Sequence, residues 1–129
     1  MNCPSDRLYH RGHLWVREDD GEEMIIGVTD YAQEQLGQVV YVDYPEPGTE
    51  IQQGAALGTI ESAKTASDLI APISGVVTAV NDKLRQEPWL VNKDPYEQGW
   101  ILRLASSNNA EFSELMDSKA YLDFLLGTS

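Results

Sequence analysis

A mainly β fold, a sandwich or barrel of short strands, is what this 129-residue sequence predicts. Two observations carry that prediction. Apolar, β-branched and aromatic residues come in short runs, and each run is closed by turn residues such as Asp19-Asp20-Gly21 or Pro45-Glu46-Pro47-Gly48. Hydrophobic residues make up 42% of the chain and charged residues 23%, an ordinary globular composition that argues against disorder. The length fits one domain spanning residues 1–129.

The elements follow in order. His13 to Arg17 alternates weakly and reads as a strand, and Glu23 to Val28 reads as its neighbour. Thr29 is placed to cap a short helix over about 29–36, with Asp30 in the first turn and Gly37 as the stop. Val39 to Tyr44 is a strand ended by the Pro-Gly cluster. Gly58-Thr59-Ile60 and Asp68-Leu69-Ile70 flank Lys64 as two further runs, then come Gly75 to Val80 and Gly99 to Leu104. The tail, about 108–126, places Phe112, Leu115, Met116, Leu122, Leu125 and Leu126 at helical spacing. Asn108 and Glu111 resemble a capping box, and Lys119 interrupts the stripe, so one helix or two joined near Asp117 fit equally.

Charge and composition narrow the function classes. Nine Lys and Arg against 21 Asp and Glu give a net charge of −12, which repels nucleic-acid and anionic-lipid surfaces. No apolar run is long enough to cross a bilayer, and the start of the chain shows no export signal, so the expected compartment is the cytoplasm. The lone Cys3 excludes an internal disulfide and is expected in a loose terminus. Beside His10 and His13 a third metal ligand could only be a carboxylate or Cys3, so no metal is expected. No phosphate loop, nucleophile elbow or activated serine is evident, and the chain is expected to be a non-catalytic component. His13 and Trp15 read as structural or pocket-lining.

The segment Gly58-Thr59-Ile60-Glu61-Ser62-Ala63-Lys64-Thr65-Ala66-Ser67-Asp68-Leu69-Ile70-Ala71-Pro72 stands apart. Lys64 is one of four lysines, and small neighbours between two β runs leave its amine open at a hairpin tip, with Glu61 and Asp68 nearby. By composition alone this is a solvated turn lysine.

Ile60 to Asp68 resembles the lipoylation motif of the glycine cleavage system H-protein family. So do Gly27 to Gly37, Pro45 to Gly48, Pro72 to Gly75, Leu90 to Tyr96 and Gly99-Trp100. The resemblance implies a lipoyl-type barrel-sandwich hybrid of two antiparallel sheets, with lipoate in amide linkage on Lys64. It implies that Glu61 helps the lipoylating enzyme read the hairpin and that Asp68 belongs to the surroundings of the arm. It implies as partners a lipoate ligase or lipoyl transferase, glycine decarboxylase, aminomethyltransferase and dihydrolipoyl dehydrogenase. A biotin carrier also offers a hairpin lysine but flanks it with methionines, whereas Ala63 and Thr65 stand here. A module that keeps the fold without the arm is the competing class.

One stretch departs from the pattern. The family usually has Ser-His-Glu-Trp where this chain has Gly12-His13-Leu14-Trp15. In the family, that serine and glutamate help hold the aminomethyl group on the loaded arm, together with the aspartate matching Asp68. A cationic amine beside Leu14 loses a charge-assisted hydrogen bond, typically worth ~1.5–3 kcal/mol. Two pathways follow as expectations: glycine cleavage, or a lipoyl carrier for sulfur oxidation by a heterodisulfide-reductase-like complex, whose members the Cys3-Pro4 start also resembles. A relay passing lipoate to other proteins is a third.

Overall fold

A computed structural model describes residues 2–19 and 23–127. Strands β1 (Leu8–Tyr9), β2 (Leu14–Asp19) and β3 (Glu23–Val28) come first, followed by helix α1 (Asp30–Leu36) and strand β4 (Val39–Asp43). Strands β5 (Glu50–Ile51), β6 (Ala56–Ser62), β7 (Ala66–Ile70) and β8 (Gly75–Val80) follow. A 3-10 turn at Asp82–Arg85, helix α2 (Leu90–Lys93) and strand β9 (Leu102–Ser106) lead to a 3-10 segment, Asn109–Glu114, and helix α3 (Ser118–Leu125).

Among the described residues all pairings are antiparallel and build two sheets, one of six strands in the order β1-β2-β3-β9-β8-β5, the other of three in the order β4-β6-β7. Alternation along each strand decides what is buried. Leu14 and Val16 of β2, with Met24, Ile26 and Val28 of β3, enter the main core beside Ile60, Leu69, Val77, Leu102 and Leu104. Trp15 and Ile25 point the other way, into a second cluster with Tyr9, Tyr96 and Tyr121 that α3 covers. There the Trp15 indole donates to Pro95 O at 3.1 Å, and the Arg7 guanidinium lies 4.6 Å from its ring centroid. Tyr9 and Tyr121 stack at 4.8 Å.

The structure matches the predicted two-sheet β architecture and shifts several elements. The strand predicted from His13 is β2 and begins at Leu14, because His13 adopts φ 67°, outside strand geometry. The predicted turn at Asp19-Asp20-Gly21 has residues 20 and 21 outside the described range. The last strand starts at Leu102 instead of Gly99. Gly99 sits tightly against the carbonyls of Leu90 and Asp94, which leaves it in a turn. The tail forms two elements, and Asp117 caps the second by accepting from Ala120 N at 2.8 Å. The capping box is a correction: Asn108 does accept from Ala110 N, but Glu111 reaches across to Ser74 instead of back to its own helix. Cys3 is a second correction, since it packs half-buried against the aromatic cluster and burial pushes its thiol pKa up.

Candidate functional site

The site grows from a hairpin. β6 and β7 pair from Ala56↔Ile70 to Glu61↔Ala66, leaving Ala63, Lys64 and Thr65 at the tip. Ser62 closes that loop: its N–H donates to Thr65 O at 2.7 Å and its hydroxyl accepts from Thr65 N at 3.2 Å. The tip is also tied to the neighbouring chain segment, because Ala63 N donates to Gln38 O at 3.0 Å. Lys64 is exposed, and none of the ion pairs found among the described residues involves it.

Helix α1 and β4 frame the hairpin. Thr29 caps α1 by accepting from Ala32 N at 3.2 Å, and the helix stops at Gly37, whose φ of 78° and ψ of −155° suit glycine alone. Gly37 then lies under the lysine stem, so that a β-carbon there would sit 3.2 Å from Lys64 Cε. Asn92 of α2 fixes this junction. Its Oδ1 accepts from Val39 N at 2.8 Å, while its Nδ2 donates to Gly37 O at 2.7 Å and Gln33 Oε1 at 3.1 Å.

Beside the hairpin lies a cleft of about 140 Å³ whose walls include Gly12, His13, Leu14, Tyr31, Gln35 and Asp68. Its apolar lining comes from Leu14, Val28, Leu36, Ile60 and Leu69. The structure thus brings Asp68, distant in sequence, onto one surface with Gly12 and Leu14. Leu14 is 2% exposed, so the position is a lining of the core with no charge to offer. A β-carbon on Gly12 would stand 3.1 Å from His10 Nδ1 and 3.2 Å from Ile70 Cβ, so a serine here would crowd both. Asp68 and Glu61 do not pair with Lys64. Glu61 instead faces Tyr41 across the β4–β6 ladder. A larger groove of about 520 Å³ lies between the N-terminal segment and residues 92–97 and includes no residue of the hairpin.

His13 is held by a chain of hydroxyls. Its Nδ1 is 2.8 Å from Tyr121 Oη, which is 2.8 Å from Thr29 Oγ1. Burial first, then the neighbouring His10, lowers its pKa below the ordinary imidazole value. His10 is lowered by burial too, and its Nδ1 accepts from Gly12 N at 2.9 Å. Among the described residues, no three His, Cys, Asp or Glu side chains gather as a metal site. No helix there is long and apolar enough to cross a membrane. Sequence reasoning missed Ser62, Gly37 and Asn92 as parts of the site. The Gly37 stop and the Ser62-Ala63-Lys64 order were visible, but Asn92 reaches the site only through the fold.

Two antiparallel sheets that present a bare lysine at a tight hairpin tip have the barrel-sandwich architecture of lipoyl domains. The sequence profile described as "Glycine cleavage H-protein" matches residues 7–127. The glycine cleavage system H protein of Listeria welshimeri is 48% identical over 121 residues, 94% of this chain and 96% of the relative. That of Thermus thermophilus is 44% identical over 125 residues, 97% of both. The crystal structure of a glycine cleavage system H protein from Mycobacterium marinum superposes with a TM-score of 0.86 at 34% identity, covering 96% of this chain and 98% of that one. This chain belongs to the glycine cleavage H-protein family. Members of that family carry lipoate covalently on a lysine. All three of these relatives are named for glycine cleavage, and they give the sulfur-oxidation reading of Gly12 and Leu14 no support.

Proposed function

We propose that the chain is one lipoyl-carrying domain spanning residues 1–129, with Lys64 as the attachment point, working in the cytoplasm as the carrier of a glycine cleavage system. The observation that carries this reading is Lys64 itself, exposed on a hydrogen-bonded hairpin tip and joined by no ion pair among the described residues. The surroundings fit the group. The leucine- and valine-lined cleft suits a hydrocarbon arm, and Asp68 on its wall supplies a carboxylate for a cationic cargo. Bound lipoate supplies the disulfide–dithiol couple and the point of attachment.

The protein's own residues present and shelter. Ser62 and the Ala63–Gln38 hydrogen bond fix the direction in which the lysine leaves the surface. Tethering then raises the local concentration of the arm at each partner's active site. Leu14 and its neighbours keep water from one side of the cleft. With Leu14 in place of an acid, Asp68 alone offers a carboxylate from the cleft wall. The partners are a lipoate ligase or transferase, glycine decarboxylase, aminomethyltransferase and dihydrolipoyl dehydrogenase, and the chain itself is non-catalytic.

The test is glycine–bicarbonate exchange with glycine decarboxylase, using protein shown by intact mass to carry lipoate. Exchange that disappears in Lys64→Arg supports the reading. A lipoylated chain that sustains no exchange beside an active H protein would overturn it.

A further inference from the structure

Six large apolar side chains stand exposed among the described residues, and three of them, Val40, Tyr41 and Trp89, belong to segments that anchor the Lys64 hairpin. Regular alternation along β4 would turn one of two neighbours inward. Here Val40 is 50% and Tyr41 51% exposed. The register explains it: pairing passes from Val39↔Ser62 to Tyr41↔Glu61, so Val40 is an extra residue in a bulge. Tyr41 therefore stands opposite Glu61 on the same face, a pair whose Cβ atoms lie ~4.5–5.5 Å apart in such ladders.

The three residues connect to the tip through short links. Gln38, two residues before Val40, accepts from Ala63 N at 3.0 Å. Asn92, one turn beyond Trp89, holds Val39 N and Gly37 O. Trp89 is 48% exposed on that turn. Exposed carboxylates of Asp43 and Glu61 stand on β4 and on β6 paired with it, on a chain of net charge −12.

We propose that Val40, Tyr41 and Trp89 form the docking surface for the enzyme that attaches lipoate to Lys64, whose matching face is an apolar strip bordered by Lys or Arg side chains. The proposal rests on Lys64 being the modified residue. The attaching enzyme must seat Nζ itself in its active centre and so must cover the surface beside the hairpin. Enzymes that act on the sulfurs at the far end of the arm have no need to seat Nζ itself. In the attachment step, Lys64 gives up one proton to become nucleophilic and a second as the amide N–C bond forms. The C–O bond of the activated lipoyl adenylate breaks, and AMP leaves with its electron pair. Opposite charge on the partner steers the approach and sets register, while the buried aromatic contacts hold the complex.

The experiment is lipoylation of the apo chain by a lipoate ligase with lipoate and Mg-ATP, followed by intact mass at several chain concentrations. Wild type gains the lipoyl mass and Lys64→Arg does not. Tyr41→Ser, Trp89→Ser and Val40→Ser with Tyr41→Ser raise KM about tenfold while kcat stays within about twofold. Val76→Ser, another exposed apolar position, on β8, leaves KM unchanged. Once fully lipoylated, the same variants are reduced by dihydrolipoyl dehydrogenase at the wild-type rate. A wild-type chain that takes no lipoate overturns the Lys64 reading and this proposal with it. Patch variants modified with wild-type KM overturn the proposal alone, as does an equal loss in ligase and dehydrogenase reactions.

Discussion

Glu111 and Ser74 lock together across 37 residues of sequence: one carboxylate oxygen accepts from Ser74 N at 2.6 Å and the other from the Ser74 hydroxyl at 2.8 Å. Both residues are buried, and Ser74 Oγ in turn accepts from Gln53 N at 2.9 Å. This lock seats the 3-10 segment Asn109–Glu114 so that Phe112 packs on the main core. Removing the carboxylate strands a buried backbone donor, so Glu111→Ala is expected to lower unfolding free energy by about 2–3 kcal/mol. Glu111→Gln, which keeps one acceptor, should lose less. Urea unfolding of the two variants measures the difference, and equal losses would sink this account.

Gly37→Ala tests the junction under the lysine. The backbone there, φ 78° and ψ −155°, is strained for any residue with a β-carbon, at about 1–3 kcal/mol. The new methyl would also meet Lys64 Cε at 3.2 Å. The variant should melt at lower temperature and be lipoylated more slowly. A variant that melts like wild type would show that Gly37 is free to relax.

How much of this was readable from the sequence depends on the range of the interaction. Helix α1 was legible because Thr29, Asp30 and Gly37 are local signals, and β3 and β8 because their β-rich runs match their strands. β1 and β5 have two residues each, too few for any pattern to register. The capping-box reading failed because a long-range partner, Ser74, displaced the local one for Glu111. The place of Lys64 at a hairpin tip was legible from its small neighbours between two β runs, whereas its role was legible only through resemblance to a motif. Asn92 and the Val40–Tyr41 bulge left no local trace, since both depend on which strand lies alongside.

The two histidines predict an acid-side loss of stability. The ordinary imidazole value is 6.5, and burial holds both His10 and His13 below it in the folded chain, with Arg11 adding to the effect at His10 and His10 at His13. The unfolded chain therefore takes up protons first as pH falls. Their contribution is intact above about pH 6.5 and declines as pH drops through that value toward the folded pKa. Protonating His10 Nδ1 also removes the acceptor of Gly12 N. His10→Asn, whose Oδ1 replaces that acceptor without titrating, should flatten the fall in urea midpoint between about pH 7.5 and about pH 5. Parallel curves for wild type and variant would contradict the assignment.

Tyr121→Phe removes the hydroxyl that bridges His13 Nδ1 and Thr29 Oγ1, each at 2.8 Å. The ring and its stacking on Tyr9 remain. A loss of about 1–2 kcal/mol is expected, and a changed His13 ring signal by NMR should accompany it. An unshifted His13 resonance would mean that Tyr121 does not bond that ring in solution.

The bulge in β4 has one more consequence. β4 is an outer strand of the three-stranded sheet, and it carries two adjacent exposed apolar residues, a combination that ordinarily invites a foreign strand to zip on and seed aggregation. Two features spoil the template: Asn92 already occupies the Val39 amide, and the extra residue at Val40 breaks the even spacing an incoming strand would need. The same irregularity that bares a sticky surface thus keeps it from sticking to extended chains indiscriminately, leaving it open to a folded partner of matching shape.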